Sequence, residues 1–160
     1  PDLAALYVFN AVYGGCVTSK LFMNVREKLS LCYFASSVVD THKGIMLVYS
    51  GIDFDKLDDA KDEIFAQLED VKNGVVTEDE LNAAKSSVSS SLRGTMDSQG
   101  ELEGFYMANA LDGLEFDPME LAELVDSVTL DDVVAVANSV VCDAVYFLDS
   151  NGEEETEDDC

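Results

Sequence analysis

GGCVTSKLFMNVREKLSLCYFASS, residues 14–37, passes from a helical pattern to a strand pattern. Ser19 can cap a helix here, because a serine hydroxyl accepts hydrogen bonds from the free backbone N–H groups of a first turn. Phe22 widens the apolar face of this helix, and Arg26 follows Phe22 by four residues. We therefore predict a short helix that carries Arg26 beside its apolar face. That face has a four-residue spacing and consists of Leu21, Val25 and Leu29.

Two strand-like runs follow this helix. LCYFASSVV and IMLVYSGI are rich in β-branched and aromatic residues, and the turn sequence DTHKG separates them. Two such runs joined by a short loop that contains glycine predict an antiparallel hairpin. Because side chains alternate along a strand, Tyr33 is expected to share one strand face with Leu31 and Ala35.

Helices are predicted on both sides of the hairpin. Residues 2–13 form an apolar helical pattern that the glycines at 14–15 would end. The helix that begins after Thr77 is expected to run long, with a kink or break near residues 93–94. Three helix starts carry N-terminal signals, namely the capping box of Thr77 with Glu80, the pair Asp117-Pro118, and Thr129 with Asp132.

The segment CDAVYFLDS, residues 142–150, is predicted to be a closing strand. The element order then indicates an α+β fold, an antiparallel sheet with helices packed on one face. Three strands are few for so many helices, so one or more strands are expected to precede Pro1 in the intact protein. Residues 1–150 are interpreted as one domain fragment and residues 151–160 as an acidic disordered tail.

The charge of the chain excludes several partner classes. The sequence holds 33 acidic and 9 basic residues, for a net charge of −24. Such a surface repels phosphate backbones and anionic lipids, so neither nucleic acid nor a membrane is an expected partner. A negative wall would instead favour basic peptides.

The cysteines indicate a reducing compartment. Cys16, Cys32, Cys142 and Cys160 form no CxxC pair, and a chain of 160 residues can build a core without disulfides. A reducing cytoplasm is the expected location, although four cysteines could also form two bridges; the resemblance described below implies that this cytoplasm is bacterial.

Residues 14–33 resemble the C-terminal, non-catalytic half of the pitrilysin/insulinase family of zinc peptidases, which includes the mitochondrial processing peptidase. The family pattern there is a helix ending in Gly-Gly, a Ser-[Lys/Arg]-Leu-Phe turn, and an Arg-Glu-Lys run that leads through a tyrosine into a strand. VTEDELNAAK and DSVTLDDVVAVAN resemble later helix starts of the same family. The chain looks most like a bacterial branch encoded by paired genes, in which one product lacks the zinc motif.

The resemblance implies a processing-peptidase-type metallohydrolase domain, one of several α+β domains that close around a chamber. In active members the N-terminal half binds zinc through His-x-x-Glu-His, and the C-terminal half contributes an arginine and a tyrosine, seven residues apart, that contact the substrate. Arg26 and Tyr33 occupy these positions, and Gly14 and Gly15 would position the loop before them. The implied partners are a peptide substrate and a zinc-bearing domain or subunit, in a heterodimer or an intramolecular clamp.

The chemistry of such a pair suits a peptide backbone. Hydrolysis develops negative charge on the carbonyl oxygen, and preorganised donors stabilise that charge. A guanidinium offers five donors with a permanent charge, and a phenol offers one. The alternative interpretation is structural, in which Arg26 pairs with a surface carboxylate or helix-end carbonyls and Tyr33 simply packs.

The sequence predicts no catalytic or metal-ligating residue. His42, in the hairpin turn, is the single histidine, whereas a catalytic zinc ion takes three protein ligands. No cofactor is therefore expected in this chain, and zinc is expected in the partner domain or subunit. Two functions remain: a non-catalytic substrate-binding domain of a metallopeptidase, or a purely structural assembly subunit of the same family.

Overall fold

This computed structural model describes residues 3–148. These residues contain six α-helices, one β-hairpin, two π-helical segments and one 3-10 turn. The predicted tail, residues 151–160, lies outside the described residues. Two π-helical segments, here called the π-turn (Ala11–Gly15) and the π-helix (Leu21–Lys28), flank the loop before the hairpin. The strands are β1 (Phe34–Asp40) and β2 (Ile45–Gly51), and a 3-10 turn spans Phe54–Lys56. The helices are α1 (Leu3–Asn10), α2 (Leu57–Lys72), α3 (Glu78–Thr95), α4 (Gln99–Asp112), α5 (Pro118–Ser127) and α6 (Leu130–Ser139).

The core is built around α1. This helix is apolar on most of its surface, and it contacts α3, α5, α6 and β1. Val8 and Phe9 are fully buried, and the ring of Phe9 stacks on that of Tyr13 with centroids 6.0 Å apart. Each fully buried side chain of this size contributes about 1.5–3 kcal/mol relative to its exposed state.

The hairpin presents two different faces. β1 and β2 are antiparallel, with Val38 opposite Leu47, and β1 contacts α1, the π-turn and the π-helix. Ala35 and Ser37 point to the buried side. Since side chains alternate, the residues between them point to the opposite side, which we call the outer sheet face. Its exposed large apolar residues are Phe34, Val38, Ile45, Leu47 and Tyr49.

The α+β class and the helix starts are confirmed. Thr77 and Glu80 form a capping box, in which the Thr77 N–H donates to Glu80 Oε2 at 2.7 Å and the Glu80 N–H donates to Thr77 Oγ1 at 3.2 Å. Asp117 and Thr129 cap α5 and α6 as predicted. The break after the long helix falls at residues 96–98, slightly beyond the predicted position, and Ser98 caps α4.

Residues 142–148 and Leu29 differ from the sequence predictions. Residues 142–148 of the predicted closing strand form no strand, and Tyr146 is 84% exposed. Strand propensity alone does not form a ladder, because a strand also needs a neighbouring edge, and the sheet of the described residues contains only β1 and β2. Leu29 is also exposed, because the π-helix ends at Lys28 and Ser30 adopts a positive φ of 51°.

Among residues 3–148, no helix is both long enough and apolar enough to cross a bilayer.

Candidate functional site

Arg26 lines an open groove between the loop that follows α1 and the first strand. The groove has a volume of about 250 Å³, and we call it the Arg26 groove. Its walls come from residues 14–17, from Phe22 and Arg26 of the π-helix, and from residues 34–36 of β1. The residue predicted to donate to a peptide backbone therefore faces accessible space.

Two neighbours hold the Arg26 side chain. Its Cζ lies 4.6 Å from the centroid of the Phe22 ring, and its Nη1 lies 3.6 Å from Glu27 Oε1. The side chain is 39% exposed. A cation over an aromatic face is attracted to the ring, and this contact uses none of the N–H groups as hydrogen-bond donors to oxygen. The carboxylate pairing expected of a structural arginine is present, but it engages only part of the donor set.

A partly buried ion pair anchors the start of the π-helix. Lys20 Nζ lies 3.1 Å from Glu80 Oε1, and the Lys20 side chain is only 6% exposed. Burial alone would raise the pKa of Glu80, but hydrogen bonds from the Thr77 backbone N–H and from Lys20 lower this pKa overall. The capping carboxylate of α3 thus also holds the helix that carries Arg26.

The ion pair was not predicted, because 60 residues separate its partners. One signal was present in the sequence: Lys20 stands directly before an apolar run, where a lysine needs a partner if it is buried. A second anchor joins the π-helix to α2, where Asn24 Nδ2 donates to Gln67 Oε1 at 2.6 Å.

Gly14 and Gly15 lie where backbone and side chains approach closely. A Cβ on Gly14 would lie 2.8 Å from both the Ser37 nitrogen and a Leu21 methyl carbon. A Cβ on Gly15 would lie 2.6 Å from Asn10 Nδ2. The Gly14 carbonyl also accepts a hydrogen bond of 2.9 Å from the Ser36 hydroxyl, which joins the π-turn to β1. This placement is compatible with the predicted loop-positioning role.

Replacing Gly14 by alanine should lower the free energy of unfolding by about 1–3 kcal/mol, because the new methyl group meets backbone that cannot yield easily. Urea denaturation measures the change. Gly94→Ala is the matched control, because a Cβ there meets nothing within 4 Å. In a helix this substitution should stabilise by up to about 1 kcal/mol. Equal stabilities of the two variants would contradict the close approach at Gly14.

Tyr33 lies directly before β1 and outside the lining of the Arg26 groove. Its side chain is 68% exposed, whereas Ala35, predicted to share its face, is buried. The Tyr33 hydroxyl donates to Asp53 Oδ1 at 2.5 Å. This hydrogen bond and the charge of Asp53 raise the pKa of Tyr33 above its ordinary value. The structure does not bring Tyr33 to Arg26, and their joint role stays a prediction.

The described residues do not fit a zinc ion. His42 Nδ1 lies 2.9 Å from Asp112 Oδ1, and the Thr41 hydroxyl donates to Asp112 Oδ2 at 2.8 Å. These contacts join the tip of the hairpin to the end of α4, so His42 has a structural contact that the sequence did not predict. Within residues 3–148, no group of three or more histidine, cysteine, aspartate or glutamate side chains could hold a metal.

Comparisons with known proteins support the family resemblance. Residues 1–88 match the family model described as "Peptidase M16 inactive domain". The chain is 33% identical over 147 residues to "Probable inactive metalloprotease YmfF" of Bacillus subtilis. The aligned region covers 92% of this chain and 34% of that protein. It is 27% identical over 132 residues to an "Uncharacterized zinc protease" of Rickettsia felis, covering 81% of this chain and 32% of that protein.

Solved structures agree with the fold. A conserved protein from Enterococcus faecalis has a TM-score of 0.78 at 34% identity, over 85% of this chain and 32% of that chain. A protease from Helicobacter pylori has a TM-score of 0.74 at 20% identity, over 85% of this chain and 34% of that chain, and supports the fold alone. The chain thus spans about a third of the length of these relatives. The family match covers more than half of the chain and includes the residues that carried the resemblance, so this chain belongs to the peptidase M16 family, as its inactive C-terminal domain.

Proposed function

We propose that this chain is the non-catalytic substrate-binding domain of an M16 metallopeptidase, in which Arg26 and Tyr33 bind the backbone of a peptide. The zinc ion would belong to another domain of the same protein or to a partner subunit, because the described residues do not fit it. The observation that carries the proposal is that Arg26 lines an open groove.

The contacts of Arg26 are compatible with recognition of carbonyl oxygens. Its Cζ lies over the Phe22 ring, and the Glu27 contact of 3.6 Å is longer than a good hydrogen bond. Neither contact uses all five N–H donors of the guanidinium. A hydrogen bond in which one partner is charged contributes about 1.5–3 kcal/mol. Because backbone carbonyls occur in every peptide, this contact alone would bind many sequences.

Tyr33 can join only after a local exchange. Its single donor is engaged by Asp53, so the Tyr33–Asp53 hydrogen bond has to break before the phenol can donate to a peptide. The exposed position of the ring leaves it room to move. Asp53 therefore competes with the substrate for the hydrogen bond that the Tyr33 hydroxyl donates.

The competition can be tested by measuring peptide affinity in single and double variants of the intact protein. Tyr33→Phe should weaken the binding of an unstructured peptide by about two- to tenfold, through loss of one exposed hydrogen bond. Asp53→Ala should strengthen binding, because it frees the phenol. The double variant should bind like Tyr33→Phe alone, because Asp53 acts only through Tyr33.

Tyr106→Phe, on the exposed surface of α4, is the matched control and should leave affinity unchanged. Equal affinities of Tyr33→Phe and the unmodified protein would remove Tyr33 from the proposal. A strengthening by Asp53→Ala that persists in the double variant would show that Asp53 acts by repelling the peptide instead.

A further inference from the structure

The π-helix and the residue before it, Lys20, divide their side chains between two sides. Lys20 and Asn24 donate hydrogen bonds to α3 and α2, respectively. Phe22 and Arg26 line the Arg26 groove. Residues two positions apart are separated by roughly 160–200° about a helix axis, so the pair that binds the helices lies opposite the pair that lines the groove. Contacts that fix the first side therefore also fix the direction of Arg26.

Apolar burial alone does not fix that direction. Leu21 and Val25 are fully buried, and they lie between the two sides of the π-helix. The hydrophobic effect is non-directional, so these contacts resist rotation of the helix only weakly. Hydrogen bonds weaken steeply when the donor angle changes. The side-chain hydrogen bonds on the side that binds α2 and α3 are therefore the contacts that resist rotation.

Asn24 begins a chain of three hydrogen-bonded side chains. Asn24 Nδ2 donates to Gln67 Oε1 at 2.6 Å, and Gln67 Nε2 donates to Glu63 Oε1 at 2.7 Å. Gln67 is buried, with 6% of its surface exposed. Because a carboxylate only accepts hydrogen bonds, Glu63 requires the N–H group of the Gln67 amide, and the amide oxygen is left facing Asn24. Only a donor at position 24 completes this chain.

We infer that Asn24 is a positioning residue, which acts through Gln67 to keep Arg26 on the groove side of the π-helix. The inference rests on the proposed function for its effect on peptide binding. The orientation of Arg26 itself can be measured without a peptide, so the two can fail separately.

Three variants of the intact protein test the chain. Asn24→Asp places an acceptor against the Gln67 oxygen and breaks the chain. Glu63→Gln keeps the chain, because the new amide oxygen still accepts from Gln67. In the double variant the Gln67 amide can turn over, donating to the new carboxylate and accepting from the new amide, so both hydrogen bonds return in the opposite direction. The double variant also keeps the net charge of the unmodified protein.

The measurement is the rate at which phenylglyoxal, an uncharged reagent that reacts with guanidinium groups, modifies Arg26. Mass spectrometry of proteolytic fragments follows the reaction, and Arg93 is the internal reference. Asn24→Asp should raise the rate at Arg26 about two- to fivefold, because the side chain then leaves its present contacts. Glu63→Gln and the double variant should keep the rate of the unmodified protein.

Asn24→Ala removes the same donor without adding a charge, and it should raise the rate at Arg26 as well. Asn109→Asp is the matched control, because Asn109 is buried on α4 and donates to the Phe116 carbonyl at 2.8 Å. It should lower the free energy of unfolding and leave the rate at Arg26 unchanged. An equal rise in this control would overturn the inference. The same holds for an unchanged rate in both Asn24 variants, or for a rise in Asn24→Asp that Glu63→Gln does not reverse.

Peptide affinity connects the inference to the proposed function. Asn24→Ala should weaken the binding of a fluorescein-labelled unstructured peptide by about two- to tenfold, and it should have no further effect when Arg26→Ala is also present. An equal weakening in both backgrounds would overturn the positioning role, because Asn24 would then act without Arg26. An unchanged affinity in Arg26→Ala alone would contradict the proposed function, while the modification rates would still decide the role of Asn24.

Discussion

Replacing Arg26 by alanine is expected to lower peptide turnover by about ten- to a thousandfold, the range that follows loss of one preorganised donor at a developing oxyanion. The assay uses the intact protein and an unstructured peptide, with the proposed zinc-bearing subunit co-expressed. The guanidinium is already stacked on Phe22 before substrate arrives, so little reorganisation is needed at the moment of reaction. Its loss should therefore reduce kcat as well as affinity.

Two further variants test whether the loss of turnover is specific to the position and to the guanidinium group of Arg26. Arg93, the other arginine of the chain, lies on α3 and pairs with Asp126 at 3.4 Å. Arg93→Ala removes the same charge and should leave turnover unchanged. Arg26→Lys should recover only part of the activity, because an ammonium lacks the planar donor edge. Normal turnover with Arg26→Ala would instead support the alternative function, a structural assembly subunit of the family.

Replacing Glu80 by alanine is expected to lower the free energy of unfolding by about 2–4 kcal/mol, somewhat less than the cost of removing one partner of a fully buried ion pair. The Lys20 side chain is 6% exposed and that of Glu80 is 28% exposed, so water can replace the missing carboxylate only in part. The same substitution removes the hydrogen bond from the Thr77 N–H to Glu80, while Thr77 still caps α3. Chemical denaturation followed by circular dichroism measures the total.

Glu120→Ala is the matched control for Glu80→Ala. Glu120 completes the capping box of α5 with Asp117, but it lies on an exposed surface. Its replacement removes only the hydrogen bond from the Asp117 N–H and should cost about 0.5–1.5 kcal/mol, because Asp117 still caps α5. Equal losses in the two variants would mean that the Lys20 contact adds nothing to stability.

The same ion pair predicts a pH dependence of stability. The pKa of Glu80 is lower in the folded protein than its ordinary value. Its stabilising contribution is therefore complete above the unfolded pKa and is lost as the pH falls through the folded pKa. Glu80→Gln should make the free energy of unfolding less dependent on pH in the acid range. The same pH dependence in both proteins would contradict a stabilising role of the ionised Glu80.

The parts of the fold that were predictable depend on neighbouring residues. The capping boxes of Thr77 and Thr129 need residues only three positions apart, and the hairpin needs two runs and a turn. Contacts between distant segments were not predictable. Nothing near Tyr33 in sequence points to Asp53, and strand propensity in residues 142–148 could not reveal whether a neighbouring edge is present.

In the candidate site, too, the local features were predictable and the contacts between distant segments were not. The motif placed Arg26 on a short helix correctly, because motif and helix are both local. Whether Arg26 faces open space depends on the close contact of Gly14 with Ser37, which brings the π-turn against β1. Tyr33 was expected in the strand, but β1 begins one residue later, at Phe34. The Tyr33 hydroxyl donates a hydrogen bond to Asp53.

Because Leu21–Lys28 is helical, the number of residues in this segment determines the direction in which Arg26 points. Inserting or deleting one residue between Lys20 and Arg26 would rotate the guanidinium about the helix axis by roughly 80–100°. Lys20 could keep its partner on α3, yet Arg26 would turn away from the groove. We therefore expect related sequences to differ here more often in composition than in length.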